Sequence, residues 1–271
     1  MRLSEKEGKA LELLQGMRSV AVAFSGGVDS TLVCALANEA LRDKAIAIIG
    51  KSEVDPEEEL IEARRIAGRI GIRLIEARIP IMENEEFVRN GPERCYHCKM
   101  MLFDAIRNIA RKRHIRNIVD GSTVDDESDY RPGRIAKAEF GVRSPLLEAG
   151  ICKKEVRALL RKRGIEVWSK PQTACLASRI PYGTRISMGA IEMVASAERY
   201  LRRLGFEQVR VRAHGPIARI ELEKSEMKRL LSNRANVARK FKELGFIYVT
   251  LDIEGYRAGS LNEAIGWTGK D

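Results

Sequence analysis

No stretch of this 271-residue chain approaches 18 consecutive apolar residues, the length that a membrane-spanning helix needs. The first residues are charged throughout, so we expect neither a signal peptide nor a membrane anchor, and a cytoplasmic protein. No long run of like charge is present either: the net charge of +10 divides evenly on the two sides of Ile180. This spread argues against a nucleic-acid partner and leaves open a preference for anionic small molecules such as nucleotides.

Cysteine is scarce and odd in number, with five residues in the chain. A disulfide scaffold is therefore not expected, and cysteines that cluster are better interpreted as metal or redox chemistry. Cys95 and Cys98 form a C-x-x-C pair, and Cys175 stands alone in a later segment. Cys34 lies on the apolar side of a predicted helix and is expected in the core, and Cys152 is expected to be structural.

What the chain does contain is an alternation of short β-branched runs with helical periods. This pattern is typical of an α/β fold in which a parallel sheet carries helices on both faces. Strands are predicted over 20–24, 45–49, 73–79 and 117–121. Between the second and third of these, Asp55 is the expected N-cap of a helix with Pro56 at its first position and Gly71 at its end.

The segment 168–187, which includes Ile180, contains two prolines and a glycine and has no periodic pattern. We place a domain boundary there, which predicts one domain over 1–180 and a smaller one over 181–271. The smaller domain has the pattern of an αββαβ unit, with one uninterrupted helix from Ser225 to Gly245. We expect it to serve substrate binding or oligomerisation.

The first predicted strand runs directly into the sequence SGGVDS and then into a helical period. Two glycines allow a tight turn that presents backbone N–H groups, two serines add hydroxyl donors, and the helix N-terminus adds a partial positive charge. Such a loop favours an oligophosphate. It lacks the spacing and the lysine of a Walker A motif. The alternative, an ordinary strand-to-helix turn, is disfavoured by its place at the first strand end of a βα sheet.

SGGVDS resembles the PP-loop of the N-type ATP pyrophosphatases, which adenylate a substrate by cleaving ATP between its α and β phosphates. Further segments resemble, in order, motifs of the LarE family, the ATP-dependent sulfur transferases that make the pincer nucleotide of nickel-dependent lactate racemase: GPERCYHCK, DGSTVDDESDYRPG, FGVRSPLLEAG, KPQTACLASRIPYGT and RVRAHGPIARIE. The resemblance implies a PP-loop domain followed by a small C-terminal domain, ATP and Mg²⁺ as cofactors, and a homo-oligomer.

The resemblance also implies a nucleotide site. The phosphates would be held by Ser25, Gly26, Gly27, Asp29 and Ser30, with Asp29 nearest the Mg²⁺. The nucleotide would be flanked by Lys51, Ser52, Gly121, Ser122, Asp125 and Asp126. Helix capping or a solvated loop is the alternative for the two aspartates, and Arg131 and Arg134 are either phosphate contacts or surface charges.

Three interpretations of Cys95, Cys98 and Cys175 are open. A zinc site lacks a fourth ligand, because His97 is badly placed between its neighbours. A redox disulfide within the C-x-x-C pair lacks the preceding strand of thioredoxin-like proteins. A [4Fe-4S] cluster on three cysteines would leave one iron open to hydrosulfide. The resemblance implies either this cluster or a Cys175 that gives up its own sulfur, and the presence of all three cysteines favours the cluster.

By resemblance, the substrate is a pyridinium 3,5-dicarboxylate mononucleotide, and sulfide or another donor supplies the sulfur. Arg210 and Arg212 would meet the substrate phosphate, since alternate residues of a strand point to one face. A solvated strand edge is their alternative. Ser178 and Arg179 are expected to act beside Cys175, and Glu198 and Glu221 are weaker candidates for a metal or structural role.

Two other functions are considered. A PP-loop tRNA thiolase of the 2-thiouridine or 2-thiocytidine type also pairs C-x-x-C with a distant cysteine. Those proteins usually carry extra C-x-x-C zinc knuckles. This chain has five cysteines, which leaves none to build such knuckles. A non-enzymatic regulator that binds adenine nucleotides would keep the loop but would have no use for three thiols.

Overall fold

The computed structural model describes residues 1–126, 133–170, 174–257 and 259–266. The helices are α1 (Leu3–Met17), α2 (Val28–Leu41), α3 (Glu57–Ile70), α4 (Glu85–Val88), α5 (Arg94–Lys112), α6 (Gly133–Glu139), α7 (Pro145–Glu148), α8 (Lys153–Lys162), α9 (Met188–Arg203), α10 (Met227–Ser232) and α11 (Arg234–Glu243). The strands are β1 (Val20–Ala23), β2 (Ala45–Lys51), β3 (Arg73–Arg78), β4 (Asn117–Val119), β5 (Val209–His214), β6 (Ile217–Leu222) and β7 (Tyr248–Leu251). None of the helices in these ranges is long and apolar enough to cross a membrane.

The chain divides into two compact units. Unit 1 comprises Met1–Ile81 and Cys95–Thr173, and unit 2 comprises Met82–Arg94 and Ala174–Asp271. Unit 2 thus combines the C-terminal part of the chain with the short segment 82–94. The domain boundary at Ile180 stays a prediction, because compactness of contacts does not by itself define a domain.

Unit 1 contains a four-stranded parallel sheet in the order β3-β2-β1-β4, flanked by helices. Val20 of β1 pairs with Ala45 on one side and Asn117 on the other. The central strands are almost wholly buried, as expected for a parallel sheet covered by helices. The predicted α/β architecture is confirmed.

The start of α3 differs by one residue from the prediction. The helix begins at Glu57, with Pro56 in the N-cap position, and it ends at Gly71, whose φ of 78° is left-handed. Asp55 accepts hydrogen bonds from the backbone N–H and the hydroxyl of Ser52 instead of capping the helix. The prediction places the N-cap at Asp55, one residue too early, because the sequence alone does not distinguish an Asx-type turn from an N-cap.

Unit 2 contains a three-stranded sheet in which β5 and β6 are antiparallel and β6 and β7 are parallel. The single helix predicted between β6 and β7 is wrong, because the chain forms α10 and α11 with a break at Asn233. There, the Asn233 side chain donates to the carbonyl of Arg229, and the Ser232 hydroxyl donates to that of Lys228. Side chains that bond to the backbone in this way compete with helical hydrogen bonds.

The segment 82–94 joins unit 2 through backbone hydrogen bonds. Ile186 donates to the carbonyl of Val88, and Gly183 donates to that of Asn90, both within 3.0 Å. These pairings connect residues almost one hundred positions apart, which a linear pattern in the sequence does not show.

Candidate active site

The PP-loop (residues 25–30) connects β1 to α2, and its serines form hydrogen bonds within the loop. Ser25 Oγ and Ser30 Oγ lie 3.1 Å apart, and the backbone N–H of Gly27 donates to Ser25 Oγ at 3.3 Å. Ser30 Oγ also lies 3.2 Å from the Gly27 carbonyl. Asp29 lies in the first turn of α2. The loop therefore joins hydroxyl groups, a helix N-terminus and one carboxylate, which suits a Mg²⁺-bound oligophosphate.

Two glycines fix how closely other elements approach this loop. Gly26 has a φ of 71°, and a Cβ at this position would lie 3.1 Å from the Cβ of Ala63 on α3. Gly121, after β4, is still more constrained, since a Cβ there would lie 2.6 Å from the backbone nitrogen of Ser30. Gly121 thus lets the end of β4 approach the start of α2 closely, and its place beside the nucleotide stays a prediction.

An ion-paired network stands at the carboxyl end of β4. Lys137 Nζ lies 3.1 Å from Asp120 Oδ1 and donates to Ser122 Oγ at 3.0 Å. Ser122 Oγ in turn donates to Asp120 Oδ2 at 2.7 Å, and Ser144 Oγ contacts both Asp120 and Lys137. Ser122 is therefore held in place from two sides. Asp120 and Lys137 are not among the predicted site residues, although Asp120 is the first residue of the DGST motif.

Asp125 and Asp126 contact the start of α8. Asp125 Oδ2 accepts the backbone N–H of Lys153 at 2.7 Å, and the Lys153 ammonium lies 2.9 Å from Asp126 Oδ1. Asp126 also accepts from the backbone N–H of Thr123 at 2.9 Å. These contacts are those of helix capping and loop closure, and a role beside the nucleotide stays a prediction. Arg134 is in α6, and Arg131 lies outside the described residues.

Lys51 and Ser52 lie at the carboxyl end of β2, on the rim of a cleft of about 550 Å³. The cleft is lined by Lys51, Ser52, Glu53, Glu76 and Arg78. Ser52 Oγ donates to Asp55 at 2.5 Å, and burial raises the pKa of the Asp55 carboxyl although this hydrogen bond opposes the shift. The cleft thus offers both charged and polar groups at the sheet edge where ligands of open α/β sheets bind.

Lys170 is a cation at the PP-loop that is not among the predicted site residues. Its Nζ lies 2.6 Å from Glu59 and 2.8 Å from Glu62, both on α3, and 3.5 Å from the carbonyl of Gly26. Its side chain is only 12% exposed. The lysine therefore ties the loop to α3. Its position at the start of the KPQTAC motif was the available signal.

Cys95 and Cys98 lie on the first turns of α5, with Cys95 exposed and Cys98 half-buried. Residues three apart in a helix lie on one face, with their Cβ atoms about 5–6 Å apart. Cys34 is fully buried, and burial raises the pKa of its thiol, which confirms its expected place in the core.

Cys175 is half-buried at the start of a 3₁₀ turn in unit 2 (Leu176–Arg179). Cys175 and these four residues form the cysteine turn, or Cys175 turn. Ser178 Oγ donates to the Cys175 carbonyl at 2.8 Å. Arg179 is 1% exposed and forms a bidentate ion pair with Glu198, at 2.7 and 3.1 Å. Its remaining nitrogen donates to the carbonyls of Ala174 and Cys175. Ser178 and Arg179 therefore act on the backbone of the cysteine turn.

Arg212 is committed to buried partners. Two of its nitrogens pair with Glu221 at 2.9 Å, and the third donates to the carbonyl of Ser178 at 2.6 Å. Ser260 Oγ accepts a further hydrogen bond at 2.9 Å. Of the two roles considered for Glu221, metal binding and a structural role, these contacts are those of a structural role.

Arg210 has a different environment, although it is 7% exposed and lies on the same strand. Its guanidinium donates to the carbonyl of Val209 and stands over the ring of Tyr256 at 5.5 Å. Burial lowers the pKa of Arg210, and the charge of Arg179 lowers it further, whereas Glu198 opposes this shift. Burial and the nearby positive charge make it unfavourable to keep Arg210 charged. An anion that binds beside this guanidinium would therefore be stabilised.

Within the described ranges, no group of three or more His, Cys, Asp and Glu side chains is arranged to hold a metal ion. The three-cysteine cluster is therefore not shown by the structure and stays a prediction. Glu198, the other weak metal candidate, is occupied by arginines.

Comparison with known proteins identifies the family. Residues 12–114 match the model of the NAD synthase family. Over 97% of its length the chain is 38% identical to the pyridinium-3,5-bisthiocarboxylic acid mononucleotide synthase of Lactiplantibacillus plantarum, of which it covers 96%. The chain belongs to the LarE family. It is also 42% identical to an uncharacterised protein of Synechocystis, with 90% of this chain and 92% of that protein covered, and 30% identical to one of Methanocaldococcus jannaschii, with 89% and 92% covered.

LarE membership confirms the resemblance inferred from the motifs. The NAD synthase match contains the PP-loop and the C-x-x-C pair, and it ends before β4. The match to the synthase extends through unit 2, so it includes the Cys175 turn and both strand arginines. The individual roles assigned to these residues stay predictions.

Proposed function

We propose that this protein is an ATP-dependent sulfur transferase. It adenylates a carboxylate of pyridinium-3,5-biscarboxylic acid mononucleotide and replaces it by a thiocarboxylate, as a step in making a nickel-pincer cofactor. The observation that carries the proposal is the end-to-end similarity to a protein named as the bisthiocarboxylic acid synthase. The PP-loop after β1 and the cysteine turn in unit 2 supply the two chemical functions that this reaction needs.

Activation of the carboxylate falls to unit 1. A carboxylate oxygen is a poor leaving group, and transfer of AMP from ATP converts it into a good one, with release of pyrophosphate. The backbone N–H groups and hydroxyls of the PP-loop bind the leaving pyrophosphate, and Asp29 binds its Mg²⁺. Lys51, Ser52, Gly121, Ser122, Asp125 and Asp126 flank the nucleotide.

Sulfur delivery falls to Cys175, supported by Ser178 and Arg179. We propose that Cys95, Cys98 and Cys175 are the ligands of a [4Fe-4S] cluster. Thiolates are the ligands that such clusters require, and the C-x-x-C pair lies on one helical face. When bound, the cluster supplies an iron without a protein ligand that can carry a transferable sulfide. Sulfide or another sulfur donor is then the second substrate.

The first test is the fate of ATP. The protein should form AMP and pyrophosphate only when the dicarboxylate nucleotide is supplied. Asp29→Ala should lower this rate by at least about a hundredfold, because a metal ion at the phosphates contributes several kcal/mol to the transition state. The exposed Asp43→Ala is the matched control and should leave the rate unchanged.

Release of ADP and orthophosphate would contradict adenylation. Formation of AMP on bulk tRNA in place of the small substrate would instead assign the chain to the tRNA thiolases. ATP binding without any cleavage would favour a nucleotide-sensing regulator.

The second test concerns the substrate phosphate, which we assign to Arg210 and Arg212. Arg210→Met should raise the substrate KM by about ten- to a hundredfold, the equivalent of a charged hydrogen bond of about 1.5–3 kcal/mol, and leave the KM for ATP unchanged. Arg212→Met is less informative because it removes the bidentate partner of the buried Glu221 and leaves only Arg219 to pair with this carboxylate. Arg203, exposed at the end of α9, is the control. An unaltered substrate KM in Arg210→Met would return this residue to a structural role.

The ATP-dependent reaction is consistent with a cytoplasmic location, which stays a prediction. A homo-oligomer also stays a prediction.

A further inference from the structure

The carbonyl groups of the Cys175 turn are held by buried guanidinium groups. Arg179 donates to the carbonyls of Ala174 and Cys175, and Arg212 donates to that of Ser178. These two arginines follow the cysteine in the chain. Both were predicted site residues. The Ala177 carbonyl of the same turn also has a charged partner, which no motif indicated.

The Ala177 carbonyl accepts two hydrogen bonds, one from the backbone N–H of Ile180 at 3.2 Å and one from the Arg94 side chain. The distance from Arg94 Nη1 is 3.0 Å, and Arg94 is 3% exposed. The same nitrogen donates to Asn90 Oδ1 at 2.5 Å, and the guanidinium stands over the ring of Tyr182 at 5.3 Å. A hydrogen bond from a charged donor inside a protein is about twice as strong as one between neutral groups.

Asn90 holds Arg94 in this position. It is fully buried and has a φ of 60°, a left-handed conformation that asparagine tolerates better than most residues. Its side-chain amide donates to the carbonyls of Pro181 and Thr184 at 2.8 Å, directly after the cysteine turn. Asn90 and Arg94 therefore brace the turn and the residues that follow it from one short segment.

We propose that Arg94 is a positioning residue for the Cys175 sulfur, acting through the Ala177 carbonyl and oriented by Asn90. The proposal rests on the proposed function, because it assumes that Cys175 takes part in sulfur delivery. A misplacement of about 1 Å is enough to slow a reaction by as much as a hundredfold. Loss of Arg94 should therefore affect the sulfur step and spare adenylation, which depends on the PP-loop.

The test compares Arg94→Met, Arg94→Lys and Arg89→Gln. Arg89 lies in the same segment, is 62% exposed and pairs only with Glu85 and Glu86 among the ion pairs described. The readout is the ratio of thiocarboxylate formed to pyrophosphate released. We expect Arg94→Met to lower this ratio about tenfold or more at an unchanged rate of pyrophosphate release. Arg94→Lys keeps a cationic donor and should give an intermediate ratio, and Arg89→Gln the wild-type ratio.

A fall of both products in equal proportion, or no change in either, would overturn the proposal. If Arg94→Met does not fold, Arg94→Lys decides: a lowered ratio supports positioning, and the wild-type ratio overturns it.

Alkylation of Cys175 in the full chain after iron chelation gives a readout that does not require the proposed function. Mass spectrometry of the Cys175 peptide should show labelling several-fold faster in Arg94→Met, because a loosened turn exposes a half-buried thiol more often. The half-buried Cys152 in unit 1 is the internal reference. An unchanged Cys175 rate would overturn the positioning role. Absence of substrate-dependent pyrophosphate release in the wild type would instead overturn the proposed function.

Discussion

Cys175→Ala is expected to form no detectable thiocarboxylate while it still releases pyrophosphate from ATP in the presence of the dicarboxylate substrate. The thiol belongs to the turn in unit 2, whereas the groups proposed for adenylation belong to the PP-loop of unit 1. Product mass and pyrophosphate are measured on the same sample. Cys152→Ala is the matched control, because Cys152 is half-buried at the N-cap of α8 and has no proposed role in the reaction. Thiocarboxylate formation by Cys175→Ala would contradict the assignment of this cysteine.

Variants of the C-x-x-C pair distinguish the two possible sources of sulfur, which are a cluster and Cys175 itself. If a cluster delivers sulfur, anaerobic reconstitution should load about four irons per wild-type chain, and Cys95→Ala and Cys98→Ala should lose iron and activity together. If Cys175 gives up its own sulfur, both variants should keep one turnover. The spent chain should then be lighter by H₂S, since loss of the Cα proton and cleavage of the Cβ–S bond leave dehydroalanine. Dehydroalanine at position 175 with no bound iron would overturn the cluster proposal.

Glu198→Gln is expected to lower the free energy of unfolding by about 3–5 kcal/mol, the cost of leaving a buried charge without its partner. Glu198 is fully buried and accepts hydrogen bonds from Arg179, from Arg202 at 2.7 Å and from the backbone of Val211 at 3.1 Å. Urea denaturation measures the change. The exposed Glu192 on the same helix is the control, and Glu192→Gln should stay within about 0.5 kcal/mol of the wild type.

The difference in the free energy of unfolding between the wild type and Glu198→Gln should depend on pH. Burial raises the pKa of the Glu198 carboxyl, but the charge and hydrogen bond of Arg179, together with the charges of Arg202 and Arg210, outweigh that effect. The pKa therefore lies below its ordinary value of 4.5. A carboxyl with a lowered pKa stabilises the folded state above the unfolded pKa and loses this contribution as the pH falls through the folded pKa. The gap between wild type and Glu198→Gln should therefore narrow below about pH 4.5. A gap that stays constant on acidification would show that the lost stability is not electrostatic.

The sequence alone was sufficient for features that depend on neighbours in the chain. The parallel sheet follows from periods of apolar residues, and the PP-loop follows from glycines and serines next to a strand. The family followed from motifs that keep their order along almost the whole chain. Local patterns failed at Asn233, where side chains that bond to the backbone ended a helix that composition would have continued.

Only the tertiary structure decided which side chains meet, because their partners lie far apart in the chain. The motifs predicted that Arg179 acts beside Cys175 and that Arg212 contacts the substrate phosphate. The fold shows each arginine in a buried pair with a glutamate and bonded to the backbone of the cysteine turn. Arg94 had no signal of its own beside the C-x-x-C motif, yet it reaches a carbonyl 83 positions later. A buried guanidinium needs several acceptors at fixed positions, and only a folded backbone supplies them.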